Sequence, residues 1–358
     1  MDFENIKNQN SAKRVGIVLV NYKDYAERFL GECWDSLMAQ DFSLELFEVI
    51  IVDNCTSKDS VDFLNKFSRA VIVPRTDGNY AAANNAGINK ARELGCELFV
   101  MANMDTVFER GWLRELVAAV ESDEKIGIAQ SKILLYKEAR INSLGNHLHY
   151  LGFGFTDGYG LPDRDIAGWP EIAGYASGCS LIIKKEVLDK IGGYIEYYYM
   201  YHDDIELGWK TKLAGYKIVL APRSIVYHKY EFSRSMRMLY YMERNRYIAV
   251  LTFYELKTLL LIMPALIVMD LGMLIFSIFN KWFKIKLSVY GYFLRPSSWR
   301  KISNERKKIK NVRKVKDGEI IKNFVGKVLF QEIDNPVLRH IANPFFDWYW
   351  QAVKILLK

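Results

Sequence analysis

Two adjacent carboxylates stand in His202-Asp203-Asp204-Ile205-Glu206, with a third acid two residues on. A carboxylate held within hydrogen-bond reach of a hydroxyl can take its proton as that oxygen attacks. The same pair also suits the first turn of a helix, where the dipole favours acids. A second set of polar residues closes or follows short apolar runs: Asn21, Asp53 with Asn54, Asp77 with Asn79, and Asn103-Met104-Asp105. Asp53 can accept a hydrogen bond from the N3–H of a uracil or thymine ring, or cap the turn at Thr56-Ser57. Asn21 and Asn54 can complete such a pocket through amide or backbone contacts. Asn85 can bond a nucleotide or pin a loop. Arg244 and Arg246, in the stretch MERNRY, can pair with a diphosphate. Trp209, behind the acids, suits either a core or a sugar platform.

The elements that must position these residues are legible in the first half of the chain. Val15–Asn21 (VGIVLVN) and Phe47–Asp53 (FEVIIVD) are continuous apolar runs with polar ends, as buried parallel strands are. Residues 71–73 and 98–102 predict two more strands. Helical spacing marks 28–40, 61–67, 81–94 and 112–120. Strands alternating with helices give an α/β fold with a mostly parallel sheet covered on both faces. In such sheets ligands bind beyond the carboxyl ends of the strands, where the polar residues fall. No GxGxxG follows the first strand, which excludes the dinucleotide fingerprint. Residues 131–201 are rich in glycine and aromatics and predict irregular strands and loops suited to shaping a pocket. Residues 204–213 predict a helix, 216–221 a strand, and 225–227 a short apolar segment ending at His228.

The ordered segments VNYKDYAERFLGECWDSLMAQ, VIIVDNCTSKDS, GNYAAANNAGINKA and LFVMANMDTVFERGWL are followed by GYASGCSLIIKKEVLDKIGGYIEYYYMYHDDIELGWKTKLAGYKIVLAPRSIVYH. Together they resemble family 2 glycosyltransferases, and most of all the rhamnosyltransferase-type branch, over residues 15–230. The resemblance implies a GT-A fold: a Rossmann-like, mostly parallel central sheet with flanking helices, followed here by a C-terminal helical, membrane-associating region. It divides the chain into a polar segment 1–14, a catalytic domain 15–234 (nucleotide-binding half 15–125, acceptor half 126–234) and a region 235–358.

The same resemblance assigns roles. Asn21, Asp53, Asn54, Asp77, Asn79, Asn85 and Asn103 would bind the nucleotide sugar, although the family commonly has glycine where Asn79 stands. Asn103-Met104-Asp105 aligns with a metal motif that is usually two aspartates flanking one residue. Asp105 would ligate Mg²⁺ or Mn²⁺, Asn103 would contact the ribose or a metal-bound water, and His228 would complete the shell. A hard divalent ion would neutralise the diphosphate as it leaves. Asp204 matches the base of an inverting transfer, with Asp203 in place of a preceding glutamate. Glu206 would orient the base or the acceptor. Ser177-Gly178-Cys179 matches a small-residue turn beside the donor sugar. No QxxRW follows the base motif, so addition of one or a few sugars is expected. The implied partners are a nucleoside-diphosphate sugar, with dTDP-rhamnose as one instance, and a lipid-linked or oligosaccharide acceptor in cell-surface glycan assembly. The alternative is a catalytically inactive nucleotide-sugar-binding scaffold of a membrane assembly.

Charge divides the chain in two. The net charge is +7, yet residues 281–327 hold fifteen Lys/Arg against three acids, which leaves 1–280 acidic at −5. The basic run follows residues 259–279, an apolar stretch with one charge, Asp270, and one proline, Pro264. That length could span a bilayer, but an unpaired aspartate at its centre would cost about 2.5–3.5 kcal/mol. A shallow interfacial arrangement is expected instead, with Trp282, Phe283, Lys281, Lys284 and Lys286 alongside and anionic headgroups as partner. A buried core helix or an oligomer interface is the other reading of the apolar stretch. No nucleic-acid motif accompanies the basic run, so nucleic acid is not an expected partner. The four cysteines are scattered without ligand spacing, which fits a reducing compartment. The polar residues 1–14 lack a secretory apolar core, so a cytoplasmic start and attachment at the cytoplasmic membrane face are expected.

Overall fold

The computed structural model describes residues 13–230, 239–329 and 336–357, so nearly all of the polar segment 1–14 lies outside the described residues. Its strands are β1 (Val15–Asn21), β2 (Phe47–Asp53), β3 (Ala70–Pro74), β4 (Leu98–Ala102), β5 (Thr106–Phe108) and β6 (Ile126–Leu135). They continue as β7 (Ile141–Ser143), β8 (Asn146–Leu148), β9 (Gly154–Thr156), β10 (Ser180–Lys184) and β11 (Lys217–His228). The main sheet has the order β3-β2-β1-β4-β10-β6-β11-β5, with β7 on β6. β3, β2, β1 and β4 are mutually parallel. β10 then runs antiparallel to both β4 and β6, so the sheet is mixed from its centre onward.

Helices α1 (Tyr25–Met38), α2 (Lys58–Leu64), α3 (Tyr80–Glu93), α4 (Trp112–Glu121), α5 (Lys185–Ile191) and α6 (Asp203–Leu213) connect the strands. Alternation along β1 sorts its side chains between two cores. Ile17 and Leu19 belong to one core with Leu30 of α1 and Leu116 of α4, whereas Val18 belongs to another with Ala83 and Ile88 of α3. α2 starts three residues earlier than its spacing predicts, because Ser57 and Ser60 form a reciprocal capping box.

The stretch expected to be irregular from residue 131 contains two central strands, β6 and β10. Gln130, Ser131 and Lys132 interrupt the apolar pattern of β6, yet all three are buried. Ser131 Oγ lies 2.8 Å from both Ser180 Oγ and Ser224 Oγ, and it accepts the Trp112 indole N–H at 3.0 Å. Internal partners let polar residues occupy a buried strand. β11 likewise joins the two segments 216–221 and 225–227 through a register shift between Ala221 and Ile225.

After β11 the described chain is mainly helical: α7 (Leu239–Phe253), α8 (Leu256–Phe279), α9 (Phe283–Phe293), α10 (Pro296–Val312), α11 (Asp317–Ile320) and α12 (Asn343–Leu357). α8 buries Leu259, Ile262, Ala265, Leu266 and Met269 along one face and exposes Leu260, Ile267, Leu271, Ile275 and Phe279 along the other. Asp270 is not an isolated charge: Lys286 Nζ lies 2.7 Å from it, and the Tyr290 and Tyr247 hydroxyls donate to it. Trp282 and Lys286 turn inward, which corrects their expected interfacial placement; Lys281, Phe283 and Lys284 remain exposed.

Candidate active site

The C-terminal edge of the parallel strands gathers the polar residues. β1 and β2 pair in register as far as Asn21 opposite Asp53. Asn21 Nδ2 donates to Asp53 Oδ1 at 2.8 Å, and Ser60 Oγ donates to Asp53 Oδ2 at 2.6 Å. The Asn21 side-chain Oδ1 accepts the Ala26 N–H of α1 at 2.8 Å. Asp53 is thus a fully buried clasp between two strands and α2. Its neighbour Asn54 is 1% exposed, and its Oδ1 has no hydrogen-bond partner. A buried acceptor left open costs stability unless a ligand fills it.

Asp105 lies just beyond β4, and His228 ends β11. His228 Nε2 sits 3.4 Å from Asp105 Oδ1, and both residues are buried. Asn142 Oδ1 lies 2.8 Å from His228 Nδ1, which fixes the ring with Nε2 towards the carboxylate. Burial opposes the charged ring, but Cys179 and Asp105 raise it to about 10. No group of three or more His, Cys, Asp or Glu side chains with metal-holding geometry occurs among the described residues. The donor set fits a divalent ion as a two-residue anchor, one carboxylate and one imidazole, with diphosphate oxygens and water filling the shell.

The turn 177–179 joins this pair to the acids. Asn103 N donates to Cys179 O at 3.1 Å, Ser177 N to Gln130 Oε1 at 2.7 Å, and Gly178 N to Asp204 Oδ2 at 2.9 Å. A Cβ on Gly178 would lie 2.5 Å from Asp204 Oδ1, so only glycine admits the carboxylate. Burial lifts the Asp204 carboxyl to about 6, against the pull of that N–H. Asp203 is pushed well above the usual carboxylate range by burial and by Asp204 beside it. Of the two, Asp204 is the better placed to hold the negative charge. Burial, reinforced by these acids, also raises the Tyr80, Tyr175 and Tyr194 hydroxyls, which stay neutral.

Residues 16–192 match the protein-family model described as Glycosyl transferase family 2. The chain carries a family 2 glycosyltransferase domain. It is 27% identical over 228 residues to the O-antigen biosynthesis protein RfbC of Myxococcus xanthus, covering 61% of this chain and 17% of that protein. It is 34% identical over 55 residues to an N-acetylglucosaminyl-diphospho-decaprenol L-rhamnosyltransferase of Mycobacterium tuberculosis, covering 15% of this chain and 18% of that one. The chain therefore matches under a fifth of the length of these two curated relatives. Among solved structures, GalNAc-T7 with UDP, GalNAc and Mn²⁺ superposes with a TM-score of 0.54 at 14% identity, over 69% of this chain and 49% of that one. That likeness establishes a GT-A fold.

Several residues of the glycosyltransferase domain and its helical extension are engaged with the protein itself, which for Asn85 and Trp209 selects one of the two readings above. Asn85 pins a loop: its Nδ2 donates to Tyr194 O at 2.9 Å and its Oδ1 accepts the Tyr194 N–H at 2.8 Å. Asn79 caps α3 through Ala82 N at 3.1 Å with φ −82°; the positive φ of that loop belongs to Gly78, at +67°. Asp77 is held by Arg75 at 2.6 Å. Glu206 is sealed at 0% exposure against Lys210 and accepts the Ile195 N–H at 3.0 Å, so it orients a loop rather than an acceptor. Trp209 packs among Phe253, Tyr254 and Phe324 as core, not as a sugar platform. Arg246 is enclosed by Glu243 and the Leu151 carbonyl, and Arg244 donates to the Tyr197 and Tyr198 carbonyls. All three nitrogens of the Arg246 guanidinium are thus engaged within the protein, and Arg244 is buried at 6% exposure. Asn142, Gln130 and the three tyrosines around the acids were missed; they carry no motif, and only the fold brings them there.

Proposed function

We propose that this chain is an inverting, rhamnosyltransferase-type glycosyltransferase that moves a sugar from a nucleoside-diphosphate sugar to a lipid-linked saccharide at the cytoplasmic membrane face. The observation that carries it is the Asp204 carboxylate, half-buried, lifted to about 6 and joined through Gly178 to the turn that also touches the Asp105–His228 side of the edge. Asp204 takes the acceptor hydroxyl proton as that oxygen attacks the anomeric carbon opposite the diphosphate. A divalent ion held by Asp105 and His228 would neutralise the charge developing on the leaving diphosphate. Asn54 Oδ1, unpartnered and buried, is a better acceptor for the N3–H of a uracil or thymine ring than the fully engaged Asp53.

α8 is the one helix among the described residues long and apolar enough to cross a membrane. One face packs against protein along its length, so a single strip is left for lipid. That favours attachment at the interface over a span. The names of the two relatives, O-antigen biosynthesis and a rhamnosyltransferase acting on a diphospholipid-linked GlcNAc, support the acceptor class.

Thermal shift with a panel of nucleotide sugars tests the donor. A uracil or thymine donor such as dTDP-rhamnose should raise the melting temperature only with Mg²⁺ or Mn²⁺ present. Stabilisation by GDP-sugars alone, or equally in excess EDTA, would refute the donor or the metal assignment respectively.

A further inference from the structure

Three of the six positive-φ non-glycine residues among those described fall just before the base: Tyr199 at +69°, Tyr201 at +62° and His202 at +63°. Bulky side chains are outliers there and persist only where the surroundings hold them. The turn is held from α7. Asn245 is fully buried, and its Nδ2 donates to the carbonyls of Tyr198 at 3.0 Å, Met200 at 2.9 Å and Tyr201 at 2.9 Å. One amide group thus spans three carbonyls of the turn that leads into Asp203–Leu213. Its Oδ1 is in turn fixed by Arg244 Nε at 3.0 Å and Nη2 at 2.8 Å. Tyr241, also on α7, stacks on Tyr199 with ring centroids 4.9 Å apart.

We infer that Asn245 is a positioning residue for the base: it holds 198–202 in the left-handed path that delivers Asp204 to the Gly178 N–H. Without it, Tyr201 and His202 relax to ordinary backbone conformations, the start of α6 swings, and the carboxylate leaves its donor. α7 is itself anchored, because Glu243 and Tyr247 on either side of Asn245 bond Lys286 of α9. The helical extension thereby reaches into the catalytic geometry although none of these residues touches substrate.

The inference rests on Asp204 as the base, so its test has one arm that does not. Asn245→Asp keeps the shape and the Oδ1 contacts to Arg244 but removes the donor to the three carbonyls. In hydrogen–deuterium exchange, the wild-type Tyr199, Met200 and Glu206 amides, each bonded within this segment, should exchange as slowly as those of α7. Asn245→Asp should speed them at least tenfold while the amides of β1 and β4 stay unchanged. Fast exchange in the wild type, or no change in the variant, overturns the clamp whatever the chemistry. If the variant does not fold, the wild-type measurement alone decides. The second arm reads turnover as dTDP release from dTDP-rhamnose with a short-chain diphospholipid-linked GlcNAc. There kcat should fall at least tenfold with the donor KM within threefold. Tyr201→Gly in the Asn245→Asp background, which removes the left-handed penalty, should restore part of kcat; a purely structural role would give no such rescue. An active Asp204→Asn protein would instead refute the base assignment and leave the exchange result standing.

Discussion

Asp204 owes its chemistry to two opposed influences on one side chain. Burial favours the neutral acid and the Gly178 N–H favours the anion, with a balance at about 6. A carboxylate at that value is mostly ionised at neutral pH and still basic enough to accept a hydroxyl proton. Asp204→Asn keeps the shape and removes the basicity, so kcat should fall by about 10²–10⁴ with donor affinity retained. A folded variant with near-wild-type turnover would remove Asp204 as the base. The wild-type rate should also fall as pH drops through about 6, because the required form is the anion; an acid limb set near 4 would contradict the raised Asp204 carboxyl. The Asp105–His228 pair predicts differently. Asp105→Asn should abolish the metal dependence of donor-induced thermal stabilisation, and an unchanged shift with Mn²⁺ would mean the ion binds elsewhere.

At the scale of elements, α7, α8 and α9 are tied by a buried charge cluster. Lys286 is fully buried and bonds Glu243, Asp270 and the Tyr247 hydroxyl. Burial would raise Glu243, but Arg246 and Lys286 hold it down at about 2. Its folded value lies below its ordinary one, so its contribution to stability is complete above about pH 4.5 and is lost as pH falls towards 2. Lys286→Met should cost about 3–5 kcal/mol at neutral pH, since it takes the ammonium from Asp270 and leaves Glu243 with Arg246 alone, and a melting temperature within a degree of wild type would deny the cluster that role. This cluster marks what the sequence left unread. Apolar runs and helical spacing located β1 to β4 and their helices, and motif order located Asp105, His228, Asp204 and the 177–179 turn. Arg244, Arg246 and Glu206 suggest ligand contacts, and Trp209 stays open between core and sugar platform, because sequence displays charge and aromaticity but not burial. Their partners are set by packing: Leu151 lies ninety-five residues from Arg246, and Phe324 comes from the far end of the chain. β6 escaped for a related reason, its polar centre being satisfied by Ser180 and Ser224 from other strands.

For the whole molecule, the acidic first 280 residues and the net +12 of 281–327 place opposite charges on one chain. The exposed strip of α8 ends at Phe279, at 81% exposure, and the extension also exposes Leu294 at 84% and Trp348 at 68%. Exposed apolar residues in that number are a liability in water unless a surface covers them. Lysines and arginines near an anionic leaflet contribute about 1 kcal/mol each, and salt weakens that term within a Debye length of about 10 Å at 0.1 M. The chain should therefore float with anionic liposomes, float less with neutral ones, and lose most of the difference in high salt. Placing Glu at both Leu271 and Ile275 puts charge into the strip without touching the packed face. That variant should stay at the bottom of the gradient while keeping its fold and its donor-induced thermal shift. If it floats as well as the wild type, the α8 strip is not the membrane contact, and the basic run must bind lipid alone.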